Sequence, residues 1–317
     1  MGKGINGIIY NLDEIKTKIT EFKGDTVTAS SLNIYNKNIS KIIRDLKFEK
    51  YKDFKKEDEI KEYLETYKML TRRNYLNSLI IFLQAFKFKE DYIKVYQNLR
   101  DTYNQEYKDN AGEKSITENE NWIELDDINK YLKDQEKIID NTKDPKIFMN
   151  YLIMKIQTKY PMRNELQSLI MISNKDYNDL DEDELKKNYI VFKTQGIFIS
   201  LGNYKTMKKY GIRKFDIEKI DETLIRLWKN KFHRNKKLID KDYLIYNIDT
   251  NKNFNTNTYS KYLINLFEKA FNKKVGSRMI RHIVMTDKFG ANLDELKKMA
   301  NIAGNSPATI NNIYVKS

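Results

Sequence analysis

Three arginines and a tyrosine in the second half of the chain are the residues whose types and spacing point to chemistry. Arg278 and Arg281 stand three apart in SRMIRHIVMTDKF, a spacing that sets both on one flank of a helix. Arg163 follows Pro161 in KYPMRNELQSL, and Tyr314 stands near the end of the chain in SPATINNIY. Guanidiniums that converge on one point suit a phosphate whose negative charge grows during substitution at phosphorus. A tyrosine hydroxyl beside them is a nucleophile that would hold the phosphorus covalently and conserve the energy of the broken bond. Other nucleophiles and ligands are scarce. Cys is absent, which excludes a thiolate nucleophile, a disulfide framework and a Cys-ligated zinc or iron–sulfur site. The two histidines cannot build a His-based metal site without carboxylate help. His282 adjoins Arg281 but points about a hundred degrees around the helix from it. His233, in KNKFHRNKK, reads as a solvated residue of a basic face.

The composition is compatible with a polyanionic partner. Lys and Arg number 58 against 45 Asp and Glu, a formal charge of +13 over 317 residues. Such an excess attracts nucleic acid or an anionic surface. It also suits the Lys-, Asn-, Ile- and Tyr-rich usage of an AT-biased genome. With 40% apolar residues the chain can bury cores of its own, and its length fits two domains of ordinary size. No apolar run is long enough to span a bilayer, and the N-terminus MGKGINGIIYNLDEIK lacks the apolar stretch of a signal peptide. A soluble, intracellular, DNA-associated protein is expected, with no membrane partner.

The elements that must position the reactive groups follow from periodicity. Helical spacing dominates the first third: 32–46, 57–70, 71–86 and 91–103 read as helices of a small all-α domain, residues 1–104. Its basic residues Lys68, Arg72, Arg73, Lys87 and Lys89 form either a solvated face or a DNA-facing one. The stretch 105–121, NQEYKDNAGEKSITENEN in character, has no apolar rhythm and reads as a linker. A second domain, 122–317, opens at Trp122 with a helix. Asp144-Pro145 then supplies an N-cap and first-turn proline for a helix that Pro161 stops. Residues 189–192, 197–201 and 211–217 read as short strands around Gly196. Helices return at 258–271, after Ser277, and after Asn292, where Asn292 and Glu295 form a capping-box pattern. Gly304 reads as the residue that ends this last helix, and Ser306-Pro307 as the start of a final one bearing Tyr314. Trp122, Trp228 and the helical Met and Phe residues are expected in the core.

The segment RMIRHIVMTDKFGANLDELKKMANIAGNSPATINNIY resembles the C-terminal pattern of the tyrosine recombinases, DNA strand-exchange enzymes related to type IB topoisomerases. In that pattern a His or Lys precedes the second catalytic arginine by three residues, and a Gly-His/Trp-Ser step comes nine residues before the nucleophilic tyrosine. Arg281 takes the place of the second arginine. Asn305, in Ala303-Gly304-Asn305-Ser306, takes the His/Trp place, and Tyr314 stands nine residues beyond it. YPMRNELQSLIM is similar to the segment of the first catalytic arginine, which implies that role for Arg163. LGNYKTMKKYGIRKFDI resembles the hairpin that carries the family's catalytic lysine, which implies Lys205 as the acid that protonates the leaving 5′ oxygen. The likeness spans about residues 119–314, and 26–103 more faintly resembles the family's core-binding domain, most like those of large DNA viruses and eukaryotic mobile elements. Two positions depart from the pattern. Arg278 stands where His or Lys is usual and accepts protons poorly; Asn305 stands for His or Trp and offers a neutral amide.

The resemblance implies a mainly α protein with a small antiparallel sheet, in which a helical core-binding domain and an α+β catalytic domain close as a clamp on duplex DNA. It implies a site-specific recombinase or integrase that works through a covalent 3′-phosphotyrosine, with Tyr314, Arg163, Arg281, Lys205, Arg278 and Asn305 as its site. No metal, nucleotide or other cofactor is implied, and double-stranded DNA and further copies of the chain, as dimer to tetramer, are the expected partners. A type IB topoisomerase and a catalytically decayed DNA-binding relative are the alternatives.

Overall fold

In a computed structural model of the chain the described residues are 11–109, 114–233, 242–289, 293–306 and 309–310. They belong to two compact units, residues 1–110 and 111–317. The division falls inside the stretch 105–121, but little of that stretch is linker-like. Residues 105–109 complete helix α5 (Glu90–Asp109), and 116–121 form α6 (Ile116–Asn121). α6 begins with a capping box in which the Ser115 hydroxyl accepts from the Glu118 N–H and the Glu118 carboxylate accepts from the Ser115 N–H.

The first unit holds α1 (Leu12–Lys23), α2 (Ala29–Asp45), α3 (Glu57–Glu65), α4 (Met69–Ala85) and α5. α4 is its axis: Leu76, Leu79, Phe82 and Leu83 are fully buried, with α2 and α5 packed along it. Phe82 meets Phe54 at 4.4 Å and Phe86 at 4.6 Å between ring centres, and Tyr51 meets Phe86 at 4.8 Å. Burying each such ring stabilises by about 1.5–3 kcal/mol, which is what joins helices this short. The single helix expected over 57–70 stops at Glu65. Arg72 explains the break: its Nε donates to the Tyr67 carbonyl at 2.6 Å and its Nη2 to that of Glu65 at 2.8 Å, satisfying carbonyls that a helix end leaves unpaired. Arg72 also lies over the Tyr103 ring and Arg73 over that of Tyr107.

The second unit continues with α7 (Leu125–Asn141) and α8 (Pro145–Lys159). Asp144 caps α8 by accepting from the Lys146 and Ile147 N–H groups, with Pro145 in the first turn. Then come β1 (Ile170–Ser173), α9 (Asn174–Asn178), β2 (Asn188–Phe192), β3 (Ile197–Leu201), α10 (Met207–Tyr210), β4 (Arg213–Asp216), α11 (Lys219–Trp228), α12 (Thr256–Phe271), α13 (Ser277–Lys288) and α14 (Leu293–Ala303). The strands form one sheet in the order β1-β2-β3-β4. β2, β3 and β4 are antiparallel as expected, but β1 adds a parallel strand, so the sheet is mixed. Its run Ile-Met-Ile-Ser was too short to separate from the preceding segment by periodicity, and the crossover through α9 forces the parallel sense. β2 and β3 are buried on both faces. Ile190, Ile197 and Ile199 join the main core, while Tyr177 of α9 covers Tyr189, Val191 and Phe198 on the other side.

Trp228 is fully buried at the end of α11, stacked on Phe148 and donating to the Leu244 carbonyl at 2.7 Å. Trp122 is only partly buried, at the core's margin with Lys114 over its ring. His233 is not a solvated residue. A π-helical turn over Lys229–His233 swings it inward, where it is buried, edge-on to Tyr246, with Nε2 2.7 Å from the Tyr243 carbonyl. Among the described residues no helix is long and apolar enough to cross a membrane.

The chain that leads from β3 toward Lys205 passes through a point with no room for a side chain. A Cβ on Gly202 would lie 1.9 Å from the Leu185 carbonyl oxygen, and the Gly202 N–H donates to the Lys187 carbonyl at 3.0 Å. Gly202→Ala must therefore move backbone against backbone, and an equilibrium urea titration of the full chain is expected to show a loss of about 3 kcal/mol.

Candidate active site

Arg163 and Asn305 meet at the C-terminus of α14. A helix end leaves its last carbonyls without intrahelical partners, and here five in a row are taken up. Gly304, at φ 68°, reverses the chain, so that its N–H returns to the Asn301 carbonyl at 3.2 Å and the Asn305 N–H to that of Ala300 at 3.0 Å. This is the Schellman arrangement, and it fixes Asn305 as the second residue past the helix. Arg213, on β4, donates through Nη1 to the carbonyls of Asn301 and Ile302. Arg163 donates through Nη1 to the Ala303 carbonyl at 3.4 Å and through Nη2 to Asn305 Oδ1 at 3.3 Å, while Asn305 Nδ2 also reaches the Ala303 carbonyl. The Thr206 hydroxyl donates to the Gly304 carbonyl at 3.0 Å.

Arg163 is held from behind. The buried Gln157 of α8 donates through Nε2 to the carbonyls of Met162 and Arg163 and accepts from the Tyr259 hydroxyl of α12. The next residue, Asn164, donates to Ser260 Oγ of α12 at 2.9 Å and accepts from Ser277 Oγ of α13 at 2.9 Å. Ser277 precedes Arg278, so the start of α13 is tied to the Arg163 segment. Arg278 is exposed at that start and Arg281, one turn on, is 5% exposed. Lys205 is exposed in the β3–β4 connection, next to Thr206. Its loop is closed by the Tyr204 hydroxyl, which donates to the Gly211 carbonyl at 2.6 Å.

Direct bonds thus join Arg163 to Asn305, and neighbouring residues tie in Lys205 and Arg278. Tyr314 lies outside the described residues, as does Asn292. The last described turn begins at Ser306, whose Oγ accepts from the Thr309 N–H at 3.1 Å. His282 is fully buried, with Nδ1 2.6 Å from Glu118 Oε1 on α6. Electrostatically the site is a cluster of cations beside the negative end of a helix dipole. Burial pulls the Arg213 pKa below its ordinary value, Tyr204 and the buried Glu165 oppose that shift, and Arg163 adds to it.

Arg213, Thr206 and Asn164 belong to the site as well, and no motif in the sequence marks them. The glycine that ends α14 announces unpaired carbonyls, but nothing in the sequence says which side chain will cap them.

No protein-family profile matches this chain, and no curated protein sequence matches it. Solved structures do. A Tyr-to-Phe variant of the Tn1549 transposon integrase, in complex with transposon right-end DNA, matches with a TM-score of 0.55 at 17% sequence identity, over 97% of this chain and 96% of that one. The fold is that of the tyrosine recombinases. XerA recombinase also matches, with a TM-score of 0.42 at 15% identity, over 97% of this chain and 95% of that one.

Asn164 is the link among three segments of this fold. Asn164→Ala strands two partly buried hydroxyl partners, and an unfolding titration is expected to show a loss of about 2 kcal/mol, with Asn164→Asp, which keeps the bond from Ser277 and can accept from a reoriented Ser260 hydroxyl, losing less.

Proposed function

We propose that this chain is a DNA strand-exchange enzyme that cuts and rejoins duplex DNA through a 3′-phosphotyrosine. The observation that carries the reading is the meeting of Arg163 and Asn305, 142 residues apart, at the end of α14, with the Lys205 loop tied on through Thr206. These are the positions that the sequence resemblance names. In the proposed reaction the Tyr314 oxygen attacks the scissile phosphorus, and the bond from phosphorus to the 5′ oxygen breaks. The DNA 3′ phosphate is then esterified to tyrosine, and the 5′ oxygen leaves as a hydroxyl with the proton of Lys205. Arg163, Arg278, Arg281 and Asn305 stabilise the charge on the non-bridging oxygens of the pentacoordinate state. A 5′ hydroxyl from a second strand reverses the step and completes the exchange. No metal or nucleotide is implied, since the phosphotyrosine conserves the bond energy. The partners are duplex DNA and further copies of this chain.

Arg163 is suited to this work because its bonds to Ala303 and Asn305 are long, at 3.3–3.4 Å, and its guanidinium is only partly buried. A phosphate oxygen offers a stronger, charge-assisted partner than either. The cationic Arg278 supports a second reading, a type IB topoisomerase that swivels the free strand in place of exchanging it. Relaxation of supercoiled plasmid separates the two.

The decisive measurement is a denaturing gel of the chain incubated with a nicked suicide duplex bearing the terminal sequence of its own element. A covalent protein–DNA band is expected from the parent, none from Tyr314→Phe, and at least about a hundredfold less from Arg281→Ala. Salt-sensitive binding without any band would show a decayed, DNA-binding relative. A band that persists in Tyr314→Phe would overturn the choice of nucleophile.

A further inference from the structure

Arg213 has no part in the proposed reaction, yet its side chain bridges the two loops that do. It is 6% exposed, and its guanidinium carbon lies 4.2 Å from the centre of the Tyr204 ring. Tyr204 immediately precedes Lys205 and closes that loop onto Gly211. On the other side the guanidinium caps the carbonyls of Asn301 and Ile302 and packs on Gly304, where a Cβ would lie 2.9 Å from Arg213 Cζ. Gly304 immediately precedes Asn305. One rigid, planar group is therefore in contact with the residue before the lysine and with the residue before the asparagine. A buried charge costs more than an apolar side chain of the same size unless it is fully hydrogen-bonded, so this strand position holds a guanidinium for its geometry.

We infer that Arg213 is a positioning residue that sets the distance between Lys205 and the Gly304–Asn305 step, so that the lysine proton reaches the leaving oxygen of a phosphate held at Asn305. The inference rests on the DNA-cleavage reading above. The plane of the guanidinium is the spacer: Lys keeps the charge at position 213 but not the flat fork between ring and carbonyls.

The test uses the full chain on the suicide duplex, with the parent, Lys205→Ala, Arg213→Lys and Gly304→Ala side by side. Gly304→Ala presses on the same contact from the opposite side and carries the comparison if Arg213→Lys does not fold. Each of Arg213→Lys and Gly304→Ala is expected to bind the duplex within about twofold of the parent, because no residue placed at the phosphate is replaced. The covalent band of each is expected to form about a hundredfold more slowly, the usual consequence of displacing a reacting group by about 1 Å. A second duplex carries sulfur in place of the scissile 5′ oxygen. A thiolate, with a pKa of about 8.5, leaves without a proton, so the lysine is no longer needed. On that duplex Arg213→Lys and Lys205→Ala are both expected to recover to within about threefold of the parent, which a general loss of packing would not produce. Parental cleavage by Arg213→Lys on the ordinary duplex overturns the inference. So does a defect that persists on the sulfur duplex while Lys205→Ala is rescued. A parent that forms no band on either duplex removes the cleavage reading itself, and this inference with it.

Discussion

A helix that stops inside a protein must do something with its last carbonyls, and the end of α14 organises the second unit around that need. Two guanidiniums, a hydroxyl and two backbone N–H groups converge on the carbonyls of residues 300–304. They come from the segment after α8, from the β3–β4 connection and from β4. Two cations so close would repel each other in an apolar setting. The negative end of the helix and the buried carboxylate of Glu165 offset that repulsion, since a cation at a helix C-terminus contributes up to about 2 kcal/mol when partly buried. The two arginines are not equivalent in this arrangement. Arg213 is buried, its Nη1 shared between two carbonyls, so it belongs to the scaffold. Arg163 is half-buried with longer bonds, and that leaves it able to exchange a carbonyl for a charged ligand.

The rest of the unit fixes where those side chains start. α8 is buried along most of its length, and Gln157 near its end addresses the backbone of Arg163 directly. α12 supplies Tyr259 to Gln157 and Ser260 to Asn164, and α13 supplies Ser277 to Asn164, so three helices share one polar seam among apolar neighbours. A polar network of this kind is stable because each member is satisfied by another. Lys159, at the end of α8, pairs with Glu218 and the buried Asp221, and the Tyr160 hydroxyl bonds Asp221 as well. This second seam joins α8 to α11, behind β4.

Much of this was legible in the sequence where local physics decides. The cap at Asp144, the strands around Gly196 and the glycine that ends α14 all follow from side chains that act within a few residues of themselves. What long-range packing decides was not legible. His233 lies in a run of Lys, Asn and Arg that reads as a solvated face, but a π turn and the rings of Trp228 and Tyr246 bury it. β1 needed a parallel partner from nineteen residues downstream to be a strand at all. Arg213 caps α14, whose end the sequence did show, whereas Arg72 caps α3 at Glu65, inside a stretch whose periodicity runs on to residue 70. The pairing of a capping arginine with its helix is a property of the folded chain.

The two departures at Arg278 and Asn305 have a common consequence for the proposed chemistry. Neither group accepts a proton near neutral pH, and both histidines of the chain are occupied elsewhere, His282 against Glu118 and His233 against the Tyr243 carbonyl. No imidazole is left to take the proton of an attacking phenol. The guanidiniums can act on that proton only indirectly, by lowering the free energy of the phenolate and of the phosphorane it forms. The proton must then go to solvent or to a non-bridging phosphate oxygen, both of which a half-exposed site allows. Asn305 suits such a site better than a base would. Its amide already bridges Arg163 and the Ala303 carbonyl, and it can turn its N–H to a phosphate oxygen with no change of charge. The proposed chemistry is electrostatic first, and the acid it assigns is a single lysine on a loop that Tyr204, Thr206 and Arg213 hold in place.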